Sequence, residues 1–286
     1  MDAKDVRTVG IVGCGLMGSG IVEVVAREGI EVLYLEPTDG LVDAGRDRIE
    51  ASAARAVERG KLLAEDRDAM LARISGSTEV AALADVDLVI EAATEDPEIK
   101  LETFRKLDEV TRDGVVLASN TSSIPIATLG AVTNRPDRVI GMHFFNPPPV
   151  MALVELTPSL STSDETLALA RGLGERLGKT VVVAKDRAGF IVNRLVIPYI
   201  CAAIGLLEEG FACREDIDAA MTLGMNHPMG PLRLADFIGL DTVLQIAEVL
   251  HAEFREPRYA PPAGLRRLVD AGHLGSKTGR GFFEYG

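Results

Sequence analysis

Residues 8–18 read TVGIVGCGLMG, and the chain continues SGIVEVVAREGIEVLYLE to residue 36. Thr8 to Val12 is a short apolar run of strand type. Gly13-Cys14-Gly15-Leu16-Met17-Gly18 follows without a break. Ile21, Val22, Val24 and Val25 then recur at helical spacing as far as Arg27, with Gly29 as a stop. Strand, glycine turn and helix form the context that a dinucleotide fingerprint requires. Gly13 permits the tight turn, Gly15 lets backbone approach a pyrophosphate, and Gly18 lets the helix pack closely on the strand. The diphosphate then meets the helix N-terminus, where free N–H groups and the helix dipole favour an anion. A second strand, Glu31 to Leu35, leads into Glu36. A carboxylate there accepts from adenosine ribose hydroxyls and repels a 2′-phosphate, so the pattern predicts NAD rather than NADP. The alternative is a glycine-rich turn beside a surface Glu.

Further strands are expected at Val86–Glu91, Val115–Ala118, Val139–Met142 and Val181–Val183, with helical stretches between them. This alternation, from residue 8 to about 184, predicts an α/β fold with a Rossmann-type, doubly wound and mostly parallel sheet. Ligands of such sheets bind beyond the carboxyl ends of the strands, which is where Glu95 falls. Pro97 opens the next helix, and Lys100 stands in its first turn, an unfavourable place for a cation unless it meets an anion. Ser119-Asn120-Thr121-Ser122-Ser123 follows a strand end as well. Such a run serves commonly as a loop and helix cap, and it also suits presentation of hydroxyls and an amide to a ligand.

The helix expected over Leu41–Arg59 carries Arg48, Ser52, Arg55 and Arg59 on one face, with Lys61 just beyond. This stripe would suit a phosphorylated ligand. Glu50 and Glu58 lie among these residues, so spacing by itself favours a solvated face.

Arg138 to Thr157 reads RVIGMHFFNPPPVMALVELT. An apolar run leads to His143, and a second short apolar strand carries Glu155. Imidazole changes charge near neutral pH, and a carboxylate beside it would hold its tautomer, as a general base requires. A half-buried structural His is the alternative. The proline run Pro147-Pro148-Pro149 stiffens the turn that returns Glu155 toward His143.

From Arg187 onward the periodicity is helical only: Ile191–Glu209, Arg214–Leu223, Pro231–Phe237, Thr242–Phe254 and Gly264–Ala271. Two domains are expected, 1–185 and 186–286. The first C-terminal helix is apolar nearly all round, which suits a bundle core or a subunit interface. Asn193 on that helix needs a partner, either another helix or a ligand. Lys277-Thr278-Gly279-Arg280-Gly281-Phe282-Phe283 is basic and glycine-rich, and is expected to fold over something anionic.

The totals restrict the function further. A net charge of −13 argues against general nucleic-acid or anionic-membrane partners. Three scattered cysteines, Cys14, Cys201 and Cys213, build neither a disulfide framework nor a metal cluster, and they fit a reducing compartment. The N-terminus MDAKDVRT is polar and does not read as a signal peptide. The longest apolar region, Phe190 to Leu207, contains Asn193, Arg194 and Pro198 and so is no membrane span. A cytoplasmic location is expected.

Taken together these residues resemble the 3-hydroxyacyl-CoA dehydrogenases, most closely the short bacterial 3-hydroxybutyryl-CoA dehydrogenases. The resemblance runs from Val9 to Tyr285. It rests on GCGLMG at 13–18, SNTSS at 119–123, HFFNP at 143–147, the strand bearing Glu155, GFIVNR at 189–194, NHPMGPLRLADFIGLD at 226–241 and KTGRGFFEY at 277–285. It implies a Rossmann-type domain and a helical C-terminal domain that dimerises or forms a higher homo-oligomer, with the active site between them. It also implies His143 as general base, Glu155 as its carboxylate partner, Ser122 at the substrate oxygen and Asn193 as the orienting amide. Cofactor contacts fall by resemblance on Gly13, Gly15, Leu16, Met17, Gly18, Glu36, Glu95, Lys100, Asn120, Asn146 and Lys277. CoA contacts fall on Ser52, Arg59 and Lys61, which turns the basic stripe into a ligand face.

The chain departs from the family pattern at three places. Position 36 is Glu where many relatives have Asp, Asp96 stands where Asn is common, and Cys201-Ala202-Ala203 replaces a more usual Asn-Glu-Ala. The last change removes a carboxylate near the dimer or acyl pocket. The implied activity is NAD-dependent interconversion of (S)-3-hydroxyacyl-CoA and 3-oxoacyl-CoA, with 3-hydroxybutyryl-CoA as the expected substrate. A 3-hydroxyadipyl-CoA dehydrogenase of aromatic catabolism and a non-catalytic NAD-binding protein of the same fold are the alternatives. A short-chain-type dehydrogenase is excluded, because none of Tyr34, Tyr199, Tyr259 or Tyr285 has a Lys four residues on.

Overall fold

Short apolar runs bounded by turns become the strands of one sheet, because only an interior position on both faces suits their side chains. The computed structural model of the protein describes residues 1–286. In chain order the strands are β1 (Thr8–Val12), β2 (Glu31–Leu35), β3 (Ile74–Ser77), β4 (Leu88–Glu91), β5 (Val116–Ser119), β6 (Val139–Phe144), β7 (Leu153–Pro158) and β8 (Thr180–Val183). They lie in the order β3-β2-β1-β4-β5-β6-β7-β8. All neighbours are parallel except β6 and β7, which run antiparallel. Helices α1 (Leu16–Arg27), α2 (Asp39–Glu58), α3 (Ala64–Leu71), α4 (Pro97–Val110), α5 (Ile126–Gly130) and α6 (Asp164–Arg176) connect them.

Alternation along the strands divides the core between the two faces. Val9 and Ile11 of β1, with Leu88 and Ile90 of β4, pack with Ile21 and Val25 of α1, Ile49 of α2 and Leu173 of α6. Val12, Val89 and Leu117 face the other way, against Phe104 and Leu107 of α4 and Leu129 of α5. Such two-sided coverage is what a parallel sheet needs.

The chain divides into two compact units, Met1–Arg187 and Ala188–Gly286. The second holds α7 (Val192–Glu208), α8 (Arg214–Gly224), α9 (Pro231–Ile238), α10 (Leu240–Phe254) and α11 (Ala263–Asp270). Its core gathers Ile197, Ile200 and Ile204 of α7 with Leu232, Val243, Leu250 and Tyr259. No helix is long and apolar enough to cross a membrane.

Three elements differ from expectation. β3 lies at the sheet edge in Ile74-Ser75-Gly76-Ser77, too polar to read as a strand. β6 runs two residues beyond Met142, because pairing with β7 carries it through His143 and Phe144. The glycine-rich tail does fold over an anion, and that anion belongs to the protein. Asp236 of α9, fully buried, accepts from the backbone N–H of Phe282 at 2.9 Å and Phe283 at 2.9 Å and from the Tyr285 hydroxyl at 3.0 Å. Burial raises the Asp236 carboxyl from its ordinary value against the pull of these donors. Burial, and then Asp236 itself, pushes the Tyr285 hydroxyl up to about 12.

Asp236→Ala would leave two backbone donors and a hydroxyl unpaired in the interior, so it is expected to lower unfolding stability by about 3 kcal/mol or more. Urea denaturation measures this. A loss below about 1 kcal/mol would mean that the tail docks by apolar contact instead.

Candidate active site

The first unit gathers polar residues where β1, β2, β4, β5 and β6 end. The glycine turn between β1 and α1 is built as a cradle. Gly13 has φ +88°, and a Cβ there would meet the backbone of Ala93 at 2.8 Å. A Cβ on Gly18 would fall 1.8 Å from the Gly13 carbonyl oxygen, so α1 cannot pack so closely on β1 with any other residue. At Gly15 a Cβ would meet nothing within 4 Å. That open side, at the N-terminus of α1, fits a diphosphate. Glu36 follows β2 and accepts from the Cys14 N–H. The residues present therefore fit a dinucleotide.

Cys14, buried beneath this turn, has its thiol pushed up to about 12, first by burial and then by Glu36. It packs against α2, where a Cβ on Gly45 would meet the Cys14 sulfur at 2.8 Å. It is a core residue and no nucleophile.

Beyond β4 and β5 a single carboxylate organises the loop. Glu95 Oε1 accepts from the Thr121 hydroxyl at 2.6 Å, the Ser122 N–H at 2.8 Å and the Ser123 N–H at 3.2 Å. The Ser122 and Ser123 hydroxyls donate to the same oxygen at 3.3 and 3.1 Å. Burial opposes ionisation of Glu95. The Lys100 ammonium and these donors outweigh it and hold the carboxyl below its ordinary value of 4.5. Lys100 is 1% exposed, and its Nζ lies 2.7 and 2.8 Å from the two carboxylate oxygens of Glu91 and 3.4 Å from Glu95 Oε2. The anion that its place in the first turn of α4 called for is thus an internal one.

Asn120 joins this loop to the next strand, its Oδ1 accepting from the Phe144 N–H at 2.8 Å. His143 is 7% exposed and Glu155 fully buried. The antiparallel register sets them opposite each other, with His143 Nδ1 2.9 Å from Glu155 Oε2. The Phe145 ring lies 4.6 Å from the imidazole, centroid to centroid. Asn146 is exposed in the turn that follows.

The other predicted residues lie on or just after α2, or in the second unit. Ser52 is half-buried on α2, while Arg55, Arg59 and Lys61 are exposed and enter no ion pair. Arg48 instead donates to the Cys14 carbonyl at 3.4 Å. Asn193 stands in the first turn of α7 in the second unit, half-buried. Lys277, also in the second unit, pairs with Asp241 at 2.6 Å.

Sequence reasoning missed Glu91, the counter-ion of Lys100, which read only as the end of an apolar strand. A Glu closing a buried strand, with a Lys in the first turn of the next helix, was the available signal.

The native pKa of Glu95 lies below its unfolded value, so the unfolded chain binds more protons between the two. The stabilisation by Glu95 is present above 4.5 and is lost as pH falls through the lowered native value. Wild type is expected to be more stable than Glu95→Gln at pH 7, with the gap closing on acidification. Guanidinium denaturation across pH 3–7 measures it, and a gap independent of pH would contradict the ionised network.

Comparison with known proteins is consistent across both units. Residues 8–187 match the family model "3-hydroxyacyl-CoA dehydrogenase, NAD binding domain", and residues 189–285 match "3-hydroxyacyl-CoA dehydrogenase, C-terminal domain". The chain is 50% identical to a 3-hydroxybutyryl-CoA dehydrogenase of Mycobacterium tuberculosis, covering 98% of this chain and 99% of that one. It is 40% identical to the mitochondrial hydroxyacyl-coenzyme A dehydrogenase of Sus scrofa, covering 98% and 91%. Among solved structures, it is similar to the (S)-3-hydroxybutyryl-CoA dehydrogenase of Ralstonia eutropha. There the TM-score is 0.94 and the identity 48%, with 99% of this chain and 100% of that chain covered.

Proposed function

The chain belongs to the family of NAD-dependent 3-hydroxyacyl-CoA dehydrogenases, and from that premise we propose that it interconverts (S)-3-hydroxybutyryl-CoA and acetoacetyl-CoA with His143 as acid and base. The observation that carries the assignment is the buried His143–Glu155 contact at 2.9 Å, beside the end of a sheet that also bears the glycine cradle.

When bound, NAD supplies the hydride acceptor for oxidation, and its reduced form supplies the donor for reduction. The protein's part is proton transfer and orientation. In oxidation His143 takes the proton of the C3 hydroxyl, and in reduction it returns one to the C3 oxygen. Glu155 fixes the imidazole through Nδ1 and stabilises the imidazolium that forms. Ser122 holds the C3 oxygen and Asn193 orients the thioester carbonyl, so that the reacting carbon starts near its attack distance. Gly13, Gly15, Leu16, Met17, Gly18, Glu36, Glu95, Asn120, Asn146 and Lys277 form the cofactor side, with Lys100 acting through Glu95. Ser52, Arg59 and Lys61 take the CoA phosphates. The exposed apolar side chains Leu195, Phe211, Leu223 and Phe237 of the second unit support pairing of two copies through that unit.

His143→Ala is expected to lower kcat for NADH-dependent reduction of acetoacetyl-CoA by roughly a hundredfold to ten-thousandfold, the scale of a lost general acid. Glu155→Gln is expected to lower kcat with NADH affinity retained, and a defect confined to NADH binding would contradict its role. Wild-type turnover in His143→Ala would overturn the assignment. A panel of 3-hydroxyacyl-CoAs of graded length, with and without a terminal carboxylate, tests the acyl preference. Preference for the dicarboxylic member would favour the 3-hydroxyadipyl-CoA reading.

A further inference from the structure

Glu91 is a fully buried carboxylate at the end of a central strand, and its donors come from the segment that follows β4 and from the end of β5. Its Oε1 accepts from the Ala93 N–H at 2.8 Å and from Lys100 Nζ at 2.7 Å. Its Oε2 accepts from Lys100 Nζ at 2.8 Å and from the Ser119 hydroxyl at 2.7 Å. Its backbone carbonyl accepts from the Asn120 N–H at 2.7 Å. One residue thus ties together the chain after β4, the start of α4 and the end of β5, from which the Asn120–Ser123 loop departs.

The distances also divide the Lys100 charge. The ammonium sits against both oxygens of Glu91 and only at 3.4 Å from Glu95 Oε2. Glu95 therefore keeps Oε1 for the five donors of Thr121, Ser122 and Ser123. Without the Glu91 charge, a buried ammonium would retain only Glu95 as counter-ion, and an uncompensated buried cation is costly enough to draw that carboxylate toward it. The loop would lose its organising acceptor.

We propose that Glu91 is a positioning residue: by holding Lys100 and Ser119 it leaves Glu95 to grip the Thr121–Ser123 loop, and so fixes Ser122 against the substrate. The proposal rests on the role given above to Ser122. It predicts a defect in turnover that passes through Ser122, because a small displacement of a substrate-orienting group lowers the rate far more than it alters the fold.

A double-mutant cycle of Glu91→Gln, Ser122→Ala and the pair tests it, with steady-state reduction of acetoacetyl-CoA by NADH and thermal unfolding followed for each protein. Each single change is expected to lower kcat by roughly ten- to hundredfold. In the Ser122→Ala background, Glu91→Gln should lower kcat by less than about threefold more, because the two act on one group. Glu91→Asp, which keeps the charge, should recover part of the loss. Equal factors for Glu91→Gln in both backgrounds, or a lowered melting temperature with wild-type kcat, would overturn the positioning role and leave that of Ser122 intact. Wild-type kcat in Ser122→Ala would overturn the Ser122 reading, and the proposal with it. If Glu91→Gln does not fold, Ser119→Ala removes one arm of the same chain, and its kcat defect must likewise vanish in the Ser122→Ala background.

Discussion

Between β6 and β7 the sheet reverses direction, and the geometry of the His143–Glu155 pair depends on that reversal. Residues directly opposite in an antiparallel ladder project on the same side, so His143 across from Glu155 brings ring and carboxylate within hydrogen-bond reach with no help from loops. A slip of one residue would send Glu155 to the opposite face. The apolar partners on either side, Met142 opposite Leu156 and Phe144 opposite Val154, are buried and resist such a slip. The register is therefore held by packing, and the His143–Glu155 contact inherits it.

The parallel part of the sheet faces a different constraint. Each parallel strand ends where a loop must turn away, and those loops carry the polar groups. Two carboxylates and one ammonium meet this in a layered way: Glu91 beneath, Lys100 in the middle, and Glu95 above with the Thr121–Ser123 donors. Glu91 and Lys100 are the buried members, and isolated burial of either charge would cost several kcal/mol, so the two stand or fall together. Asn120, bonded to Glu91 below and to Phe144 across, passes that rigidity to the strand bearing His143.

The dinucleotide half of the fold was legible because its determinants are local: a strand, three glycines, a helix and an acid, each within a few residues of the next. The helical half was legible from periodicity, with helix ends displaced by a residue or two. β3 was hidden because an edge strand needs only one buried contact, which Ile74 supplies, while Gly76 leaves room for Tyr34. The odd position of Lys100 was visible, but Glu91 was not, since a strand–turn–helix pairing has no fixed period to count. Asp236 reads in sequence as one polar residue of an amphipathic helix. Only the folded tail reveals that it receives three donors.

Arg55, Arg59 and Lys61, exposed and without ion pairs, stand on a chain whose net charge is −13. At physiological ionic strength the Debye length is about 8 Å, so an approaching polyphosphate is shielded from most of the distant carboxylates and feels chiefly the charges nearest its path. Local cations can then steer encounter even though the molecule as a whole repels anions. Such a surface reverses the usual reading of an acidic isoelectric point. In dilute buffer the long-range field slows a polyanion, and moderate salt removes that barrier first, because charges beyond a Debye length are screened before near neighbours are.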